Sequence, residues 1–146
     1  MTDYKVGYTT GVFDLFHVGH LNIIKRAREM CDFLIVGVTT DELVSYKDAR
    51  VVIPYNERLQ IIESIKYVDK AVPQKTMDKM EAWRKFQFDV MFVGSDWQGT
   101  ERWNAYEKEF LEVGVDIIYF PYTTGTSSTR LREALCKLVG DVVASF

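Results

Sequence analysis

The two histidines of the chain, His17 and His20, stand three residues apart in the stretch Gly-Val-Phe-Asp-Leu-Phe-His-Val-Gly-His, residues 11–20. Val6 to Thr10 ahead of it reads as a strand tip, and Leu21, Ile23, Ile24, Ala27 and Met30 behind it recur at helical spacing. The pair therefore belongs at a helix N-terminus, where the first backbone N–H groups lack intrahelical partners and the dipole favours an anion. Two imidazoles added to that place make a receptor for phosphate, and Gly19 between them lets a phosphate chain lie close to the backbone. Two other readings compete: half of a metal site, or hydrogen-bonded structural histidines. No Cys or third His nearby completes a ligand set, and the glycine at a strand-to-helix junction favours phosphate.

A second stretch with the same potential is Gly125-Thr126-Ser127-Ser128-Thr129-Arg130, at the start of the last helix. One Ser or Thr is enough to cap a helix. Four hydroxyls in a row beside Gly and Arg exceed that need and suit a second phosphate. After the fourth strand, Gly94-Ser95-Asp96-Trp97-Gln98-Gly99 offers a carboxylate for hydroxyl groups and an indole wall, or else a turn with its Trp anchored in the core. Residues 47–54 lack periodicity and carry Lys47 and Arg50, which fits a mobile basic loop or a solvated one. Asp14 can orient a substrate or cation, or cap the helix region.

The elements that must carry these residues alternate strand and helix. Strands are expected at Tyr4–Thr9, Phe33–Val38, Val68–Val72 (ended by Pro73), Asp89–Gly94 and Val115–Phe120. The near-continuous apolar run Phe-Leu-Ile-Val-Gly-Val suits a strand buried on both faces of a parallel sheet. Pro54 can open a helix with Tyr55, Leu59, Ile62 and Ile65 inward and Arg58 on another side. Further helices are expected over Met77–Phe86, Glu101–Val113 and Ser127–Leu138, the last with Leu131, Ala134, Leu135 and Leu138 inward. This alternation predicts a three-layer α/β fold with a five-stranded parallel sheet, whose ligands bind at the carboxyl ends of the strands.

Composition sets outer bounds. The 146 residues suit one domain with a short apolar tail over 140–146, and 47% hydrophobic with 27% charged residues is ordinary for a soluble globular protein. A net charge of -3 leaves no electrostatic footprint for nucleic acid. Cys31 and Cys136 have neither disulfide-framework nor zinc spacing and read as small core residues in helical surroundings. No apolar run approaches the ~20 residues of a membrane span, and the start lacks signal-peptide regions, so a cytoplasmic protein is expected.

His17-Val18-Gly19-His20, preceded by Gly11-Val12-Phe13-Asp14, resembles the HxGH signature of the nucleotidyltransferases related to class I aminoacyl-tRNA synthetases. Within them the chain is most similar to the cytidylyltransferases, through Thr123, Gly125, Ser127, Ser128 and Thr129, which follow their Arg-Thr-x-Gly-Ile-Ser-Thr-Thr signature. Tyr122 stands where that family has Arg, and Arg130 is the candidate to compensate. Gly94-Ser95-Asp96-Trp97-Gln98-Gly99 resembles the glycerol-3-phosphate branch. The resemblance implies a Rossmann-like nucleotidyltransferase fold and transfer of CMP from CTP to a phosphorylated alcohol, foremost sn-glycerol 3-phosphate, giving CDP-glycerol and pyrophosphate for cell-wall or capsule polymers. It implies catalytic roles for His17, His20, Lys47 and Arg58, nucleotide contacts from Thr10, Gly11, Val12, Phe13, Gly19, Gly94, Thr123, Gly125, Ser127, Ser128, Thr129 and Arg130, and acceptor contacts from Asp14, Lys66, Asp96 and Trp97. Mg2+ carried by the triphosphate and a homodimer are implied as well. Choline phosphate, ethanolamine phosphate or a phosphorylated acid as acceptor, ATP as donor, and a nucleotide-binding module without catalysis remain open.

Overall fold

Cys31–Thr39 is apolar at both parities and needs cover on both faces. It finds that cover as an inner strand of a parallel sheet in the computed structural model, which describes residues 2–46, 51–121 and 127–139. The elements run β1 (Tyr4–Gly11), α1 (Val18–Met30), β2 (Cys31–Thr39), α2 (Asp41–Tyr46), α3 (Tyr55–Glu63), β3 (Lys70–Gln74), α4 (Lys79–Phe86), β4 (Val90–Gly94), α5 (Glu101–Glu112), β5 (Asp116–Phe120) and α6 (Ser128–Val139). Every strand pairing is parallel, in the order β3-β2-β1-β4-β5. This is the Rossmann-like arrangement expected of the alternating pattern.

Alternate residues of the inner strands feed two cores. Leu34, Val36 and Val38 of β2 and Val90 and Phe92 of β4 pack with Ile24 and Ala27 of α1 and Ile62 of α3. Tyr8, Ile35, Met91 and Val93 face the other way, toward Phe88 and toward Trp103 and Phe110 of α5. The helices thus form two layers, α1 with α3 and α4 with α5. The chain leaves β1 toward β2 and β3, then returns to place β4 on the other side of β1. That reversal opens a crevice at the carboxyl ends of β1 and β4, where ligands of such sheets bind.

Past the end of β2, Thr40 Oγ1 accepts from Leu43 N at 3.3 Å and caps the short α2. Four local expectations are corrected. Pro73 lies inside β3, tolerated because β3 is an edge strand and a missing N–H costs no ladder bond on the open side. Cys31 opens β2 instead of belonging to a helix, and is buried. Of the four residues expected inward on α6, Leu131 and Leu135 are half-buried, while Ala134 is exposed and Leu138 is 83% exposed, because the helix is tied down by its first turns. Arg58, expected on a side of α3 away from its inward face, is 0% exposed.

Candidate active site

The loop from β1 to α1 is held in a conformation its residues do not favour. Phe13 and Leu15 have φ of 57° and 50°, in the left-handed region, where a bulky side chain costs roughly 1–2 kcal/mol. Two buried charged side chains hold the loop there. Arg58 donates from Nη1 to the carbonyls of Val12 and Thr39, both at 2.7 Å, from Nε to Ile53 O at 2.8 Å, and from Nη2 to Asp41 Oδ1 at 2.6 Å. Asp14, 2% exposed, accepts from the backbone N–H groups of Val52 and Ile53 and from Arg132 Nη2 at 2.6 Å. Burial pushes the Asp14 carboxyl upward, but these donors outweigh it and hold the group below its ordinary value. The β1–α1 loop is therefore fastened from α3, from residues 52–53 and from α6.

The two histidines form a reciprocal cap on α1. His17 N donates to His20 Nδ1 at 3.2 Å, and Gly19 N donates to His17 Nδ1 at 3.0 Å. Each ring accepts at Nδ1, so in the neutral form each carries its proton at Nε2 and has one donor left to offer. Burial, joined by the neighbouring His17, pushes His20 down to about 4, and burial lowers His17 as well. At neutral pH both are uncharged donors, with ring centroids 4.0 Å apart. A histidine whose folded pKa lies below its unfolded value of about 6.5 destabilises the fold when protonated. Stability from this source is complete above about pH 6.5 and is lost as pH falls toward 4. Thermal unfolding across pH 4–7 should thus show a steeper acid loss in the wild type than in His20→Gln, and equal slopes would contradict the burial of His20.

At the carboxyl ends of β1 and β4 these residues open onto a cavity of about 720 Å³. From the α1 side it is lined by Gly11 to Asp14, His20, Ser128 and Arg132, and from the α4–α5 side by Met77, Lys79, Arg102, Trp103 and Tyr106, with Gly94 and Trp97 on its rim. Gly11 cannot carry a side chain here, since a Cβ would come 2.9 Å from the Phe13 ring. Ser128 Oγ donates to Asp14 O at 2.6 Å, and Ser127 Oγ accepts from Arg130 N at 3.0 Å as the cap of α6. The start of α6 is thereby docked beside the start of α1, and two helix N-termini meet at one cavity.

The model of the cytidylyltransferase-like family matches residues 8–134. The chain belongs to this cytidylyltransferase-like family. It is 38% identical to the glycerol-3-phosphate cytidylyltransferase of Staphylococcus aureus, over 87% of this chain and 92% of that protein. It is 34% identical to the enzyme of the same name from Bacillus subtilis, over 89% and 96%, and 34% identical to an FAD synthase of Pyrococcus abyssi, over 86% and 91%. In fold it is similar to a lipopolysaccharide core biosynthesis protein of Thermoplasma volcanium (TM-score 0.69, 24% identity, 84% of this chain and 99% of that one). Pantoate-beta-alanine ligase of Francisella tularensis is similar in the same way (TM-score 0.63, 15% identity, 91% and 66%). The chain is accordingly a nucleotidyltransferase.

Within this cytidylyltransferase-like site, Thr10, Gly11, Val12, Phe13, Asp14, His20, Gly94, Trp97 and Ser128 of the expected set line the cavity. His17 is not among the lining residues, and the buried Gly19 has its N–H engaged by His17 Nδ1, so that amide is already spent. Arg58 has four of its five donors on protein acceptors, which makes it a brace of the loop and not a wall of the cavity. Asp96 is exposed beside Trp97, and Thr129 and Arg130 are exposed on α6, all three outside the lining. Lys66 is corrected: it sits between α3 and β3, at the amino ends of the strands, with its ammonium 5.2 Å over the Tyr67 ring and away from the cavity. Lys47, Tyr122, Thr123 and Gly125 lie outside the described residues.

Three cations that line the cavity were missed: Lys79, Arg102 and Arg132. Arg132 had a readable signal, since it follows Ser128 by four residues and so shares its helix face. It lines the cavity where Arg130 does not. Lys79 and Arg102 had none, because lysine and arginine in polar helices read as solvated. For a divalent ion the lining is a poor cage: among the described residues no three His, Cys, Asp or Glu side chains converge, and Asp14 is already engaged by Arg132.

Proposed function

We propose that this nucleotidyltransferase moves CMP from CTP to a phosphorylated alcohol, foremost sn-glycerol 3-phosphate, releasing pyrophosphate and forming CDP-glycerol. The reading rests on one observation above others: the histidine cap of α1 and the Ser128–Arg132 face of α6 converge on a single crevice at the sheet reversal. The names of the Staphylococcus and Bacillus relatives support the glycerol acceptor.

In this reaction an acceptor phosphate oxygen forms a bond to the α-phosphorus while the bond to the bridging oxygen of pyrophosphate breaks. The nucleophile arrives already anionic, so no protein nucleophile is required. The protein has to align two anions that repel and to stabilise charge on the α-phosphate. Neutral Nε2–H donors of His17 and His20 serve that purpose without having to lose a proton, and Arg132 adds a fixed charge. Lys47 would add another from the loop before α3. Mg2+ would enter on the triphosphate, held by phosphate oxygens and water.

Pyrophosphate release tests this directly. CTP with sn-glycerol 3-phosphate is expected to give product, with choline phosphate and ethanolamine phosphate giving little. Silence with that pair and turnover with ATP and FMN would replace the reading by the second one, an FAD synthase-like adenylyl transfer, which the Pyrococcus relative favours.

A further inference from the structure

Gln74, the last residue of β3, lines the cavity and is only 6% exposed. It shares strand parity with Val72, which packs with Tyr8 and Phe88, so its side chain lies on the α4–α5 side of the sheet, across from the histidine cap. Its backbone is fixed: it pairs in register with Thr39, and Thr40 N donates to Gln74 O at 3.1 Å. One end of the carboxamide is engaged, since Oε1 lies 2.7 Å from Thr39 Oγ1. Thr39 has a single hydroxyl proton, and Gly11 O stands 3.1 Å from the same Oγ1. Among the described residues the other end of the amide has only Met77 Sδ at 3.9 Å, a weak acceptor for two N–H groups. Tyr106 Oη donates to Met77 O at 3.0 Å and holds the chain beside that sulfur. Turned over by half a turn, the amide would donate from Nε2 to Thr39, pass the Thr39 proton to Gly11 O and leave Oε1 at the sulfur without a donor. In both arrangements one buried amide end faces Met77 short of a partner, a costly state that a ligand can relieve. A hydroxyl, donor and acceptor at once, relieves it in either arrangement, whereas a trimethylammonium or an apolar chain does so in neither.

We propose that Gln74 is a specificity-determining residue for the acceptor, its second amide end taking a hydroxyl of the phosphorylated alcohol. The site then selects polyol phosphates over phosphates of cationic or apolar alcohols. This inference rests on the nucleotidyl transfer read above. In-line displacement brings the acceptor in from the side opposite the leaving pyrophosphate. With the triphosphate read at the histidine cap and the Ser128–Arg132 face, the wall that carries Gln74 belongs to the acceptor.

Pyrophosphate release by the full chain with CTP is measured against sn-glycerol 3-phosphate, n-propyl phosphate, which has the same carbon chain without hydroxyls, and choline phosphate. The wild type is expected to prefer glycerol 3-phosphate over propyl phosphate by about 100-fold or more in kcat/KM, because the analogue leaves the buried amide unpaired. Gln74→Met has a similar length, removes the amide and leaves Thr39 its bond to Gly11 O. It should lower kcat/KM for glycerol 3-phosphate by about 10- to 100-fold and leave that for propyl phosphate and the KM for CTP within about 2-fold, so that the preference collapses. A residue that only supports the fold would lower both acceptors alike, and an unchanged preference therefore overturns the assignment. A raised KM for CTP overturns it as well, by placing Gln74 against the nucleotide. If Gln74→Met fails to fold, the wild type decides alone: propyl phosphate or choline phosphate used as well as glycerol 3-phosphate overturns the assignment. Silence of the wild type with CTP and every phosphoalcohol refutes the transfer reading and this assignment with it, whereas turnover without preference refutes the assignment only.

Discussion

His20→Ala is expected to lower kcat for pyrophosphate release by about 10²- to 10³-fold, the effect of removing one preorganised donor from a developing oxyanion. The fold supplies the preorganisation. His17 N occupies His20 Nδ1, and the ring packs 5.3 Å from Phe16 and edge-on to Phe13, so Nε2–H is the donor it presents and its orientation is fixed before substrate arrives. Burial keeps the ring neutral down to about pH 4, so the donor is present throughout the neutral range. Because the variant also loses half of the reciprocal cap, it should be less stable by about 1 kcal/mol, a cost too small to explain the kinetic loss. Steady-state kinetics with CTP saturating, alongside thermal unfolding, separates the two effects. A variant with near-normal kcat and raised KM for CTP would mean that His20 holds the ground state and contributes nothing special to the transition state.

Arg58→Lys is expected to be nearly as damaging as Arg58→Met, which would be odd for a surface phosphate ligand and follows directly from the observed bonding. A lysine keeps the charge but has three donors on one nitrogen, and it cannot span three carbonyls and the Asp41 carboxylate as the planar guanidinium does. Losing these bonds leaves buried carbonyls without donors and releases the left-handed turns at Phe13 and Leu15 that the bracing maintains. A loss of about 3 kcal/mol or more is expected, or roughly a 10 °C fall in unfolding temperature for a domain of this size. Turnover should fall in both variants even where they are fully folded, because the loop that carries the histidines is no longer fastened. Unchanged unfolding with a rise in KM for CTP alone would return Arg58 to direct phosphate contact.

The elements and the broad site could be read from local pattern. Helix and strand periodicities, the glycine between two histidines and the Ser-Thr run before an apolar helix are properties of neighbours along the chain, and they predicted the parallel α/β sheet and the place of the histidines at the N-terminus of α1. Even the short α2 carried a signal in Thr40 followed by Asp41 and Glu42, a cap with an acidic first turn. Pro73 misled because an edge strand tolerates what an inner one does not, and edge position depends on strand order.

What sequence by itself determined, then, was the set of segments and the two helix N-termini at which a phosphate site is expected. Only tertiary structure decided which charged residues face the cavity. Arg58, Lys66, Lys79, Arg130 and Arg132 look alike in a sequence, each a cation in or beside a helix. Packing buries Arg58 as a brace, sends Lys66 to the far edge of the sheet, leaves Arg130 outside and turns Lys79 and Arg132 into the cavity. The physical reason is that a charge goes inside only where distant segments supply its partners, here Val12, Thr39 and Asp41 for Arg58 and Asp14 for Arg132. No local pattern records which distant segments will meet.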